Sequence, residues 1–308
     1  MSKEFLKSVF QSLTENEAWS LQIVQVKNSN KNGTSYLCRE VILDPEEKLI
    51  DFVQDIQKNY CSENGIEAVS SVDDYTGDVI GHVIYKIDRR NQLISHEFDL
   101  LVQSIGNPDR EMKISDIKPN AAILKGSVTI DQEDVPVLLV SMQKPISALS
   151  NKFMWCETKK FKEIKAPVLS LRKTIDVAII GDVAYLFTLS GENLFNMERA
   201  YKTVCKECVD NIIKCNFITD GAMFSSVANS GRNPSRFVAY NKNHLDWLKN
   251  KNNRKKAAEK FGLVVDGDDI KTGDVESVEK LVKFLCNKAM VDPCDESPVE
   301  VASTKPWR

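Results

Sequence analysis

The sequence predicts an α+β protein in two parts: a mixed N-terminal half, and a C-terminal half built on a β-hairpin plus a long amphipathic helix. Three observations predict it. Residues 173–180 alternate and then fill with Val177, Ile179 and Ile180; Gly181-Asp182 offers a tight turn; and 183–189 return through Tyr185, Phe187 and Leu189. Leu194, Met197, Tyr201, Val204, Cys208, Ile212 and Cys215 then recur at steps of three and four, which puts them on one helical face. Ahead of both, short strand-like and helix-like stretches alternate without a repeat of fixed period.

From the N-terminus, Phe5, Leu6, Val9, Phe10 and Leu13 mark a helix over 3–13. Strands follow over 21–27 and 35–43, joined by the turn-rich 28–33. Asp44-Pro45-Glu46-Glu47 is a helix start: Asp44 caps, Pro45 suits the first turn and Glu47 reaches back. That helix buries Leu49, Ile50, Val53, Ile56 and Tyr60. Residues 82–87 form a strand, and Ile94, Phe98, Leu101, Val102 and Ile105 mark a helix closed by Gly106. After a polar loop over 107–119, strands 121–130 and 135–142 pair around 131–134. The charged run 157–165, then Ala166-Pro167, breaks the pattern and places a boundary between an N-terminal domain 1–166 and a C-terminal domain 167–308. Beyond the hairpin and long helix the chain loosens through Gly221, Asn229, Gly231 and Pro234. A helix over 235–247 carries Phe237, Tyr240, His244 and Trp247; another over 278–289 buries Val278, Leu281, Val282 and Leu285; the tail 293–308 is irregular.

At 308 residues, 42% hydrophobic and 28% charged, the chain has a globular composition. No apolar run approaches the roughly 20 residues that a spanning helix needs. The first residues lack the apolar core and cleavage site of a signal peptide, so a cytoplasmic location is expected. Eight cysteines are scattered, mostly among apolar neighbours, which favours reduced, packed thiols. The net charge of −3 does not by itself point to a polyanion partner, but charge is uneven along the chain. Residues 242–260 hold seven bases and two acids, a local charge of +5; residues 266–279 hold six acids and one lysine, a local charge of −5.

The basic run is the best candidate site. Lys249, Lys251, Arg254, Lys255, Lys256 and Lys260 are too dense to be buried, and on one surface they would neutralise phosphates and release counterions. Trp247, with Tyr240 and Phe237 upstream, would stack on bases. The competing reading is a solvated helix face paired with the acidic run after it. Lys159, Lys160, Lys162 and Lys165 form a second, weaker patch with the same ambiguity. Cys205-x-x-Cys208 lies inside the long helix with no second pair to match, which favours packed cysteines over a zinc or redox pair. Glu157-x-Lys159 and Glu163-x-Lys165 have the acid–lysine spacing of metal-dependent nucleases, but no aspartate on a preceding core strand completes the set. The run 266–274 resembles a calcium loop only in composition: Lys271 stands where the turn glycine belongs, and Ser277 where the closing glutamate belongs. No phosphate loop, serine elbow or His-Glu-x-x-His is present, so no catalytic residue, metal or cofactor is assigned.

The run Ile175-Asp-Val-Ala-Ile-Ile-Gly-Asp-Val-Ala-Tyr-Leu-Phe187 continues into Leu194-Phe-Asn-Met-Glu-Arg-Ala-Tyr201. The chain closes on Ser297-Pro298 and then Val299-Glu-Val301-Ala-Ser303-Thr-Lys305. Together these resemble the Kiwa anti-phage KwaB-like family, over about the last 140 residues, a normal single-domain size. The resemblance implies a cytosolic component of a two-protein antiviral system. Its partner would be a small multi-spanning membrane protein that recruits it to the inner membrane. It further implies a homodimer that binds DNA without marked sequence preference and blocks phage DNA replication or expression. A metal-dependent nuclease, or an adaptor that contacts only protein, are the alternatives.

Overall fold

Most of the period-two patterning ahead of residue 190 goes into one large sheet, and most of the period-3.6 patterning after it into helices. The computed structural model describes residues 3–15, 18–29, 33–43, 47–62, 65–72, 83–109, 111, 117–143, 154–157, 160–163, 172–291 and 298–300. Helix α1 (Lys3–Gln11) turns Leu6, Val9 and Phe10 inward. Strands β1 (Ser20–Ser29) and β2 (Gly33–Val41) pair antiparallel, with Ser29 opposite Gly33. Helix α2 (Glu47–Cys61) packs on α1 and buries Val53, Ile56 and Tyr60; its expected cap, Asp44, lies outside the described residues. A short strand that patterning did not predict, β3 (Ala68–Ser71), precedes β4 (Val83–Asp88). Helix α3 (Ser95–Gly106) buries Phe98, Leu101 and Ile105 but leaves Val102 exposed, since that position lies off the inner stripe.

Strands β5 (Ala121–Ile130) and β6 (Glu133–Met142) meet at a two-residue turn in which Asp131 and Gln132 both have positive φ. That is the turn geometry that follows the twist of antiparallel strands. Strands β7 (Met154–Glu157) and β8 (Lys160–Glu163) form their own two-stranded ladder. Strands β9 (Val177–Ile180) and β10 (Val183–Leu186) turn at Gly181, whose φ of 57° suits a residue without a Cβ.

The main sheet runs β2-β1-β5-β6-β9-β10-β4-β3. The hairpin pairs with β6 on one side and with β4 on the other, and every β9 residue is buried. At its root Asp176 is only 3% exposed. Its carboxylate accepts the Met142 amide at 2.7 Å and the Thr188 hydroxyl, and pairs with Arg172. Phe10, Tyr60 and Phe187 gather their rings beneath, with centroids 5.0–5.9 Å apart. By compactness the chain divides into Met1–Val69 with His82–Asn196, and Ser70–Gly81 with Met197–Arg308. The division falls later than the boundary expected at 166/167, because β9 and β10 are hydrogen-bonded into the sheet.

The second unit opens with helix α4 (Met197–Lys214), whose buried stripe is Met197, Tyr201, Cys205, Val209 and Ile212. The expected face through Val204 and Cys208 is rotated by one residue; those two are half-buried. Helix α5 (Gly221–Ala228), which the glycine at its start concealed, is capped by Asp220. The helix expected over 235–247 is broken instead into α6 (Asn233–Arg236), a 3-10 turn over Phe237–Ala239, and α7 (Lys242–Leu248). Tyr240 is extended, and the Asn241 side chain caps α7. Helix α8 (Lys251–Phe261) leads into the hairpin β11 (Val265–Asp266) and β12 (Asp269–Ile270). Helix α9 (Val275–Leu285) buries Val278, Leu281, Val282 and Leu285, and Ala289 passes into β13 (Ala289–Val291). The tail is not wholly irregular: β14 (Pro298–Glu300) pairs with β13.

Candidate nucleic-acid interface

Asparagine and glycine set the limits of the basic helix. The Asn250 side chain accepts the Asn252 amide at 2.9 Å and starts α8; Gly262, at φ 67°, ends it and donates to the Ala258 carbonyl at 3.1 Å. Arg254, Ala257 and Phe261, spaced three and four apart, form the inner stripe. Lys251, Lys255, Lys256 and Lys260 point outward and are exposed.

The six candidate cations fall into three groups. Arg254 does not stand on the surface with the others, so the expectation that none of them is buried is corrected: it is 5% exposed. Its Nη1 donates to the Leu248 carbonyl at 2.9 Å and the Lys249 carbonyl at 3.2 Å, and its Nε to the Asp268 carbonyl. The guanidinium also lies 5.6 Å from the Phe217 ring centroid. A rigid fork of donors answers carbonyls that the end of α7 leaves unpaired, and its charge suits the negative end of that helix. Lys249 and Lys251 form the second group. Each is exposed but holds a carboxylate, Asp246 and Asp268 respectively. The Lys249 ammonium draws the Asp246 carboxyl below its ordinary range, and Lys251 does the same to Asp268. Lys255, Lys256 and Lys260 are the third group, exposed and without an ion pair among the described residues. Lys256 and Lys260, four apart, stack in one row, and Lys251 and Lys255 in another; exposed Glu259 shares this outer face.

Of the aromatics expected to stack on bases, Phe237 is 1% exposed and belongs to the core, so it is withdrawn. Tyr240 is half-buried against it, with ring centroids 6.2 Å apart. Trp247 is 36% exposed, with its ring 6.0 Å from that of Phe284.

The acidic run has structural work. Asp268 sits in the β11–β12 turn, and Asp274 caps α9 by accepting the Ser277 amide at 2.8 Å and the Ser277 hydroxyl at 3.0 Å. Cys205 is fully buried and its thiol donates to the Ala228 carbonyl at 3.3 Å; burial pushes it up to about 12 and Cys208 up to about 11. Among the described residues no group of three or more His, Cys, Asp or Glu side chains is placed to hold a metal ion. Glu157 closes β7, while Lys159, Lys165 and Pro167 lie outside the described residues. No helix among the described residues is long and apolar enough to cross a membrane.

A family model described as Kiwa protein KwaB-like matches residues 127–292, a little over half of the chain. The match runs from within β5 through the hairpin, α4 and the basic helix to just past β13. It begins earlier than the stretch on which the sequence resemblance rests, and stops short of the Ser297-Pro298 ending. No curated protein and no solved structure matches the chain.

Proposed function

The chain belongs to the Kiwa protein KwaB-like family, and from that premise we propose that it is a DNA-binding effector that grips phosphates through the outer face of α8. The family ties the chain to Kiwa anti-phage defence and to the other components of that system. The observation that supports DNA binding is the trio Lys255, Lys256 and Lys260: exposed, in no ion pair among the described residues, and held on one short helix whose ends are capped. Point charges of this kind meet a phosphate backbone without reading bases, so affinity is independent of sequence. Trp247 adds a partly open ring beside them in the chain. The rest of the reading follows the family resemblance: a cytoplasmic homodimer, brought to the inner membrane by a small multi-spanning partner, that obstructs phage DNA replication or expression.

Two unrelated duplexes, presented to the full chain at low salt, test this. The wild type is expected to retain both equally, and the variant carrying Lys255→Glu, Lys256→Glu and Lys260→Glu to retain neither while keeping its unfolding midpoint. Equal retention by the variant contradicts the assignment. Incubation with Mg²⁺ or Mn²⁺ discriminates against the nuclease reading, for which cleaved rather than intact DNA is the signature.

A further inference from the structure

The β11–β12 turn is anchored from several sides. The Phe217 carbonyl accepts the Ile270 amide at 2.8 Å, and the Ile270 carbonyl accepts the Thr219 amide at 3.0 Å. Below it the fully buried Thr272 exchanges hydrogen bonds with Asp220: its hydroxyl accepts the Asp220 amide and donates to the Asp220 carbonyl, both at 2.9 Å. At the tip Gly267 adopts φ 61°, and the next residue, Asp268, is held twice. Its main-chain carbonyl takes the Nε of Arg254, and its carboxylate takes the Nζ of Lys251. Lys255, one helical turn beyond Lys251, also acts electrostatically on this carboxylate. The turn therefore presents a fixed anion to the first row of lysines on α8, while Lys256 and Lys260 have no ion-pair partner among the described residues.

We propose that the Gly267-Asp268 turn is an intramolecular stand-in for phosphate: its carboxylate occupies Lys251 and screens Lys255, and a polyanion must displace it to use the full basic face. This inference rests on the polyanion reading above. The exchange is cheap to operate, because the Lys251–Asp268 pair is exposed, at 65% and 51% of their side chains, and such pairs are weak. It is also separable from folding, because Arg254 holds the main-chain oxygen of Asp268, which a side-chain substitution leaves in place. The turn thus sets how many phosphates the resting protein contacts, and hence how steeply its affinity responds to salt.

The test is binding of one non-specific duplex by the full chain across a salt series, for the wild type, Asp268→Asn, Lys251→Ala with Asp268→Asn, and the triple lysine-to-glutamate variant. Asp268→Asn is expected to bind about twofold to fivefold more tightly. Its plot of log affinity against log salt is expected to steepen by about 0.9, one further phosphate contact. Adding Lys251→Ala is expected to remove that steepening. If Asp268→Asn matches the wild type in affinity and slope while the triple variant loses binding, the basic face stands and the turn does not mask it. If no form binds DNA, both this inference and the reading beneath it fall.

Discussion

Replacing Arg254 with methionine separates an architectural cation from the exposed lysines around it. The guanidinium makes three hydrogen bonds to the carbonyls of Leu248, Lys249 and Asp268 and lies over Phe217. Bonds of this kind contribute about 1 kcal/mol each, and a cation–π contact about 0.5–1 kcal/mol more. Methionine keeps much of the buried stem but leaves carbonyls unanswered at the end of α7, so the expected cost is about 3–4 kcal/mol. That is a large part of the 5–15 kcal/mol typical of a domain. Lys256→Met, on the exposed face of the same helix, is expected to stay within about 0.5 kcal/mol of the wild type. Urea unfolding followed by circular dichroism measures both. A loss below about 1 kcal/mol for Arg254→Met, or an equal loss for Lys256→Met, refutes the division of labour drawn here.

Three further outcomes are expected. Asp176→Ala removes the acceptor of the Met142 amide and the Thr188 hydroxyl at a site 3% exposed, and should lower stability by about 2–4 kcal/mol in the same urea assay. Alkylation at pH 8, read by mass spectrometry, should label exposed Cys61 well before Cys205, because burial holds the Cys205 thiol near 12. By the same linkage the unfolded chain sheds thiol protons near 9 that the folded chain keeps, so stability should fall as pH rises above 9. Equal labelling, or a midpoint flat to pH 11, contradicts the burial.

Elements whose residues obey one period were legible in the sequence. The β5–β6 pair, the β9–β10 hairpin and α9 lie close to where alternation and three-four spacing put them. Pairing across the chain was not: nothing local says that β9 and β10 slot between β6 and β4, since that depends on which edges are open. On α4 the paths through Val204 and Cys208 or through Cys205 and Val209 are equally periodic, and packing chose the second. Of the candidate site, the density of charge was legible and the fate of each charge was not. Arg254 sits among lysines in sequence, yet its spacing to Ala257 and Phe261 makes it part of the inner stripe, a signal that a helical projection of α8 reveals. The pairing of Lys251 with Asp268 depends on a turn 17 residues away.

The salt slope of non-specific DNA binding decides whether α8 grips phosphate. The three exposed lysines Lys255, Lys256 and Lys260 should release close to three counterions, giving a slope of log affinity against log salt of about −2.7. Changing Lys255, Lys256 and Lys260 to glutamate should bring it near zero with the fold intact. A wild-type slope already near zero, or one that the three changes leave alone, would show that α8 is a solvated helix and not a grip on phosphate.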